Sequence, residues 1–457
     1  MKQKLQNTQR GITLVALIIT IIVLLILAMV SISLVMNSGI IDKSKTAVDK
    51  YSQEEVQEQI KLAYAEWQTA QWTSDAGDAA TFMQTRLRTS LNDNGLTVTE
   101  SSGIFVVRLS NNKQYIYDTK TGGMLDEVPV AAYPNATPGQ ANNTENTKYT
   151  SDNKTAVIPK GYILDATQNS IDNGLVISKA GNEWVWIPVS NEDFSAMFGT
   201  ATDDGWTMDG TDVKTKYKSN GGIINDKNGN PITRVTPGDT SSFREPDVLN
   251  NDSYDKNTTY LSIAGLGANL SEMATKLRDD YKNMIDSVRK NGGFYVGRYE
   301  LSEAGTKKDQ PSLTNTNWYN LYAKCKTFGD ESTTYSRMIW GCQWDQVCKF
   351  ISTAKDKNGQ TISLSDSTSY GNYRNSENSP QNKINTGSND NYKTNNIYDL
   401  AGNCYEWTQE ASKTFVRIYR GGGYDNDGFS VPVTCRGSIF PTFTRDYISS
   451  RPVLYLK

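Results

Sequence analysis

The sequence predicts an α+β chain in two folded parts: a long amino-terminal helix with a small antiparallel sheet, then a larger region of short strands and few helices. Three observations predict it. An uncharged stretch from Gly11 to Ile41 runs directly into an amphipathic pattern, and a hairpin pattern follows at 103–122. Beyond a Pro-, Asn- and Thr-rich stretch, about 300 residues carry short apolar runs punctuated by glycine. The 457 residues allow two or three domains, and 37% hydrophobic content is enough for packed cores.

The composition excludes several function classes. With 47 Lys+Arg against 50 Asp+Glu, the formal charge is -3, too small a bias to draw the chain to nucleic acid. Histidine is absent, which removes Ser-His-Asp and Cys-His catalysis, imidazole-held metals and a histidine pH switch. The five cysteines, Cys325, Cys342, Cys348, Cys404 and Cys435, all fall in the last third without a C-x-x-C pair. They read as small buried hydrophobes, with one bridge allowed, rather than as a disulfide framework or zinc ribbon. No phosphate-cradling loop or dinucleotide fingerprint is present.

Residues 1–10 hold Lys2, Lys4 and Arg10 and no acid. The most apolar part that follows, Ile12 to Met36, would make a helix of roughly 38 Å, longer than the roughly 30 Å hydrocarbon core. The basic flank should stay cytoplasmic, with everything after Asp42 outside. No short apolar run ends in a small-residue cleavage site, so the helix is expected to be retained. It should continue past Gly39, where Val48, Tyr51, Val56, Ile60, Tyr64 and Trp67 recur at three-to-four spacing and leave Lys50, Glu54, Glu55 and Glu58 to solvent. A short second helix fits Asp78 as its cap and Met83, Leu87 and Leu91 as its stripe. The string 103–122 then reads as a hairpin turning at Asn111 and Asn112.

The string RGITLVALIITIIVLLILA, residues 10–28, resembles the type IV prepilin signature. That resemblance implies a leader of residues 1–11, cleavage after Gly11 by a prepilin peptidase, methylation of Ile12, and a pilin-like domain over 12–127 with other pilins as partners. It also implies a bacterial cell-surface location, anchored in the membrane by the amino-terminal helix or associated with a pilus. The family's major pilins carry a glutamate at the fifth mature position, where this chain has Ala16. A minor or tip-like subunit fits better than a major one. An uncleaved signal anchor is the plainer reading of the same residues.

Val128 to Asn153 reads as a domain linker, and its N-x-T triplets are too cheap in that composition to assign glycosylation. The best helix beyond it runs from a Ser271 cap through Met273, Leu277, Tyr281, Met284 and Val288 to a stop at Gly292 and Gly293. Another places Trp344, Val347, Cys348 and Ile351 on one face, which puts Cys348 in the core rather than in chemistry.

Five strings in 154–457 resemble the formylglycine-generating-enzyme superfamily, whose fold is related to C-type lectins: NEWVWIPV (182–189), GGFYVGRYE (292–300), NIYDLAGNCYEWT (396–408), YRGGGY (419–424) and SSRPVLYL (449–456). The third matches the family's N-x-x-D-x-x-G-N-x-x-E-W-T pattern at Asn396, Asp399, Gly402, Asn403, Glu406, Trp407 and Thr408, followed by Arg420, Gly421 and Gly422. These are scaffold positions. The string suits a tight turn at Gly402, Asn403 satisfying backbone groups, Trp407 in the core and Glu406 as a buried acceptor for backbone or Arg donors.

Catalytic members use two cysteines five positions apart after the R-G-G strand to hold copper. Here only Cys435 is present, with Ser430 five positions before it, and one thiolate cannot make that site. Related sulfoxide-synthase-like members bind iron through histidines, which this chain lacks. No cofactor is required on this reading; oxygens around Asn396 and Asn403 could hold calcium, as they do in some relatives.

The resemblance therefore implies a non-catalytic domain, displayed at the cell surface, whose terminal loops bind an extracellular protein or glycan. Aromatic and Arg side chains dominate interface energetics. The candidate ligand residues are Tyr424, Asp425, Asn426, Asp427 and Phe429 on one loop, and Phe443, Arg445, Asp446 and Tyr447 on the next. Some relatives have this face diversified by retroelements that mutate adenines, and the residue mixture here is compatible. The alternatives are a surface oxidase of the formylglycine-generating type, a structural filament subunit, and a simple membrane-anchored receptor.

Overall fold

The computed structural model describes residues 40–73, 76–111, 113–125, 128–198, 258–413 and 416–457. The expected membrane segment Ile12–Met36, Ala16 and the processing pair Gly11 and Ile12 lie outside the described residues. Among the described residues, no helix is long and apolar enough to cross a membrane. The chain divides into two compact units, one ending at Val128 and one spanning Pro129–Lys457. It is an α+β protein with several antiparallel sheets.

In the first unit, α1 (Ile40–Thr73) and α2 (Ala79–Ser90) precede β1 (Thr97–Ser101), β2 (Ile104–Arg108), β3 (Gln114–Asp118) and β4 (Gly123–Leu125). The four strands form one antiparallel sheet in sequence order. The expected hairpin is β2–β3, with Ile104 opposite Asp118 and Arg108 opposite Gln114. Asn112 lies outside the described residues. Val56 and Ile60 of α1 and Met83 and Leu87 of α2 are buried against Phe105, Val107 and Tyr117 of the sheet. Asp78 caps α2: its Oδ2 accepts from the Thr81 N–H at 2.8 Å, meeting one of the donors a helix start leaves orphaned.

The second unit begins before the expected domain start. The stretch 128–153, expected as a linker, is from Pro129 onward part of this unit. Ala136 N–H donates to Lys148 O and Gly139 N–H to Leu164 O, both at 2.7 Å, and β5 (Thr147–Ser151) pairs with β6 (Lys154–Ile158). Composition reads as coil there because backbone pairing, rather than an apolar pattern, fixes the chain.

A six-stranded antiparallel sheet forms the frame. It uses β7 (Ile163–Leu164), β8 (Val176–Lys179), β9 (Asn182–Pro188), then β10 (Gly293–Gly297), β11 (Thr334–Met338) and the final strand Pro452–Leu456, in the order β11, final strand, β10, β9, β8, β7. Helices α3 (Asn191–Phe198), α4 (Thr258–Ile263), α5 (Leu270–Asn291), α6 (Trp318–Cys325) and α7 (Gly341–Ile351) accompany it. The α5 stripe Met273, Leu277, Tyr281, Met284 and Val288 is buried as its spacing requires, and Gly292 ends the helix in the left-handed region at φ 71°. The cap is Asn269 rather than Ser271. Asn269 Oδ1 accepts from Glu272 N–H at 3.0 Å while Glu272 reaches back to Asn269 Nδ2 and Ala268 N–H, a reciprocal arrangement that a start at Ser271 would forfeit. On α7, Trp344, Val347, Cys348 and Ile351 are all fully buried.

The motif region is built on β12 (Lys393–Thr394), β13 (Ile397–Tyr398), β14 (Tyr405–Lys413), β15 (Val416–Arg420), β16 (Arg436–Ile439) and β17 (Ile448–Ser450), before the final strand, β18. A second sheet runs β16-β15-β14-β17, antiparallel except for the parallel β14–β17 pair.

Candidate functional site

The motif is first a backbone device. Asn396, Asp399, Gly402 and Asn403 all lie at positive φ, 64°, 53°, 74° and 57°. Asn, Asp and Gly are the residues that enter the left-handed region at least cost, so the motif's spacing encodes successive reversals of the chain. At Gly402 no other residue fits, because a Cβ would stand 2.3 Å from Asn372 O.

The side chains then lock those turns. Asn396 Nδ2 donates to Gly174 O at 2.7 Å. Asp399 Oδ2 accepts from Gly387 N–H at 2.8 Å and Thr386 Oγ1 at 3.0 Å. Asn403 donates through Nδ2 to Glu300 Oε2 at 2.6 Å and accepts at Oδ1 from Asn372 Nδ2 and Ile384 N–H, at 3.1 and 2.9 Å. Glu300, which sequence reasoning did not single out, is fully buried and also accepts from Ser312 Oγ and, at 3.0 Å, from Cys404 N–H. Burial pushes the Glu300 carboxyl well up, and the neighbouring Asp399 and Glu406 push the same way.

Two oxygens named in the calcium expectation are already engaged. Asn403 Oδ1 faces two N–H donors, and the Asn396 main-chain oxygen accepts from the Arg298 guanidinium at 3.2 Å. Those two oxygens are engaged by donors rather than turned toward a cation.

Two buried ionic groups stiffen the sheet beneath the terminal loops. Arg451 clamps Glu406 by three contacts of 2.6 to 3.1 Å and spends its remaining N–H groups on Gly297 O and Tyr398 O. In the second group, Arg420 reaches Asp345 Oδ1 at 2.7 Å and Glu410 Oε2 at 3.3 Å, while Arg436 reaches Asp345 Oδ2 at 2.6 Å and Glu410 Oε1 at 2.9 Å. This closed ring of two acids and two arginines joins α7, β14, β15 and β16 and excludes water. Trp407 lies in the core, and Gly421 and Gly422 lead the chain out of β15 at positive φ.

Above this base the structure separates the candidate ligand residues. Tyr447 is half-buried with its ring 6.1 Å from Tyr405, which lies 4.8 Å from Tyr419, so three tyrosines form one partly exposed cluster. Tyr424 is half-buried beside Asp425 and Asp446, both exposed, and all three belong to the same neighbourhood. Arg445 stacks its guanidinium 5.2 Å from the centre of the Phe443 ring, itself 37% exposed and 5.3 Å from Phe440.

Two candidates serve the loop instead. Asn426 Oδ1 accepts from Gly423 N–H at 2.9 Å. Asp427 accepts from Phe429 N–H, Ser430 N–H and Asn375 Nδ2, at 3.0, 3.2 and 2.9 Å. Phe429, 62% exposed, stands on that loop, whose Gly428 N–H donates to Asn375 Oδ1. Sequence reasoning missed Tyr405 and Tyr419. Each adjoins a buried ionic residue, Glu406 or Arg420, and strand alternation turns the ring away from it toward the opposite face.

The thiols are placed for packing. Cys325, Cys348 and Cys404 are fully buried; burial pushes Cys325 and Cys348 up to about 12 and Cys404 well above the ordinary thiol value. Cys435 is half-buried.

No protein-family model matches the chain, and no curated protein matches it. Among solved structures, the chain is similar to the crystal structure of CarF, at 12% identity over 36% of this chain and 87% of that one with a TM-score of 0.25. It is also similar to Treponema denticola variable protein 1, at 15% identity over 67% of this chain and 98% of that one with a TM-score of 0.23.

Proposed function

We propose that this chain is a pilin-like cell-surface protein, a minor or tip-like subunit, that displays a non-catalytic lectin-type domain to bind an extracellular protein or glycan. One observation carries the reading: a partly exposed cluster of Tyr405, Tyr419 and Tyr447, with Tyr424 in the same neighbourhood and the Arg445–Phe443 stack beside it, on a sheet crossed by buried ion pairs. Rigid aromatic and Arg anchors on an ordered base bind with little entropy cost. Burial keeps the Cys325, Cys348 and Cys404 thiols protonated, which leaves Cys435 as the half-buried thiol for the oxidase alternative, one where a two-sulfur site needs two.

In this reading the segment around Gly11 and Ile12 is processed by prepilin peptidase and the apolar helix anchors the chain. The test is binding of the full chain, displayed on cells, to arrays of extracellular proteins and glycans. Arg445→Ala should weaken capture at least tenfold with an unchanged melting temperature, and Tyr447→Ala should weaken it as much while lowering the melting temperature, because its ring packs on Tyr405 and the core. Turnover of a cysteine peptide with copper, abolished by Cys435→Ser, would overturn the proposal. An adenine-rich, near-identical template repeat beside the gene would mark 424–448 as a diversified face.

A further inference from the structure

A polar groove lies apart from the tyrosine cluster, on the loops between α7 and β12. It encloses about 460 Å³, within the roughly 300–1,000 Å³ range of small-ligand sites. Most of its lining is neutral and hydrogen-bonding: hydroxyls such as Thr361, Ser363 and Thr368, and amides such as Asn358, Gln360 and Asn375. We propose that this groove holds a neutral, hydroxyl-rich saccharide, with Phe429 at its rim as the ring on which a sugar face stacks. The inference rests on the surface-binding reading and names a ligand class for it.

Three features carry the argument. Hydroxyl and amide groups both donate and accept, which is what a polyol presents in return. The charges are arranged against an anionic ligand: Lys357 Nζ is paired with Glu377 Oε2 at 2.6 Å, and the further cation at the wall, Lys355 on Thr361 Oγ1, is outnumbered by Asp356 and Asp366. The walls are also built before a ligand arrives. Asp356 Oδ1 accepts from Asn358 and Gln360 N–H at 2.9 and 3.0 Å, and the buried Tyr370 hydroxyl donates to Ser363 O at 3.0 Å. A pre-formed polar wall avoids the cost of ordering its side chains on binding.

The loop that carries Phe429 is tied to the groove through the neighbours of that residue. Gly428 N–H donates to Asn375 Oδ1 at 3.1 Å, Asn375 Nδ2 donates to Asp427 Oδ2 at 2.9 Å, and Ser367 N–H donates to Gly428 O at 3.0 Å. The loop is thereby fastened to two groove segments, and it carries Phe429, 62% exposed, next to Gly428. A pyranose has this division, with polar edges and an apolar C–H face that an aromatic ring covers.

The test is a glycan array carrying neutral, amino-bearing and uronic-acid oligosaccharides, probed with the full chain and with Phe429→Ala and Gln360→Ala, both at exposed positions. Neutral glycans should bind, uronic-acid glycans should not, and each variant should weaken neutral-glycan binding at least fivefold with unchanged melting. Preference for uronic acids, absence of neutral-glycan binding, or binding that neither variant changes overturns the groove assignment. A chain that binds no neutral glycan yet captures a protein through Tyr447 loses the groove and keeps the surface-binding function. A chain that captures nothing loses both.

Discussion

Arg451 holds Glu406 through Nε to Oε1 at 3.1 Å, Nε to Oε2 at 2.9 Å and Nη2 to Oε1 at 2.6 Å, and neither side chain is exposed to solvent. The pair ties β14 to the turn between β17 and β18, so it couples the second sheet to the six-stranded frame. Removing one member leaves a buried charge without its partner, which costs about 3–5 kcal/mol, whereas replacing both by apolar groups is often nearly neutral. Arg451→Met should therefore lower stability by that amount at pH 8, and Glu406→Leu with Arg451→Met should recover much of the loss. Urea unfolding measures both; a single-variant loss under about 1 kcal/mol would contradict the clamp.

The Glu300 carboxyl, Asp399 and Glu406 occupy one buried neighbourhood in which Arg451 is the nearby cation. Burial is the first cause in each case, pushing Asp399 up to about 6, Glu406 up to about 7 against the pull of Arg451, and Glu300 well above its ordinary value. A carboxyl raised in the fold binds a proton that the unfolded chain releases. Its contribution is then complete below about pH 4 and is lost as pH rises through about 6, then 7, and beyond. Melting temperature should fall between pH 5 and pH 8, and Glu300→Gln should flatten part of that slope. A stability that rises across the window would contradict the assignment.

How far the sequence could be read depended on whether the information was local. Left-handed turns at Asn396, Asp399, Gly402 and Asn403 announce themselves because few residue types tolerate that backbone, and helical stripes such as Met273 to Val288 announce themselves by period. The ring of Asp345, Glu410, Arg420 and Arg436 does not, since its members lie up to 91 residues apart and a charged residue ordinarily reads as surface. Glu300 was hidden for the same reason. The fastening of 129–153 by backbone hydrogen bonds leaves no mark on composition, and neither does the hold that Asn375, a residue 52 positions away, takes on Asp427.

Gly402 provides a sharper test of the motif as a backbone device. Its φ of 74° is strained for any residue with a Cβ, and that atom would meet Asn372 O at 2.3 Å, a main-chain oxygen that cannot rotate away. Left-handed strain of about 1–2 kcal/mol then adds to a steric clash, and the neighbouring Asn372–Asn403 contact must also shift. Gly402→Ala should cost at least about 3 kcal/mol by chemical denaturation, more than Gly359→Ala, where φ is 73° and nothing lies within 4 Å. Equal losses at the two positions would show that strain alone, and not the close approach, fixes the glycine.

The prepilin reading makes its own prediction at the amino terminus. Lys2, Lys4 and Arg10 precede an apolar run that begins at Gly11, and on the prepilin reading they would hold a leader on the cytoplasmic side, where its peptidase would act. In cells that carry a prepilin peptidase, membrane-purified chain should begin at methylated Ile12, and Gly11→Val should leave the leader attached without changing the orientation of the rest. Mass analysis of the mature terminus decides the matter. Intact Met1 on exported protein would reduce the segment to a signal anchor and overturn the prepilin reading.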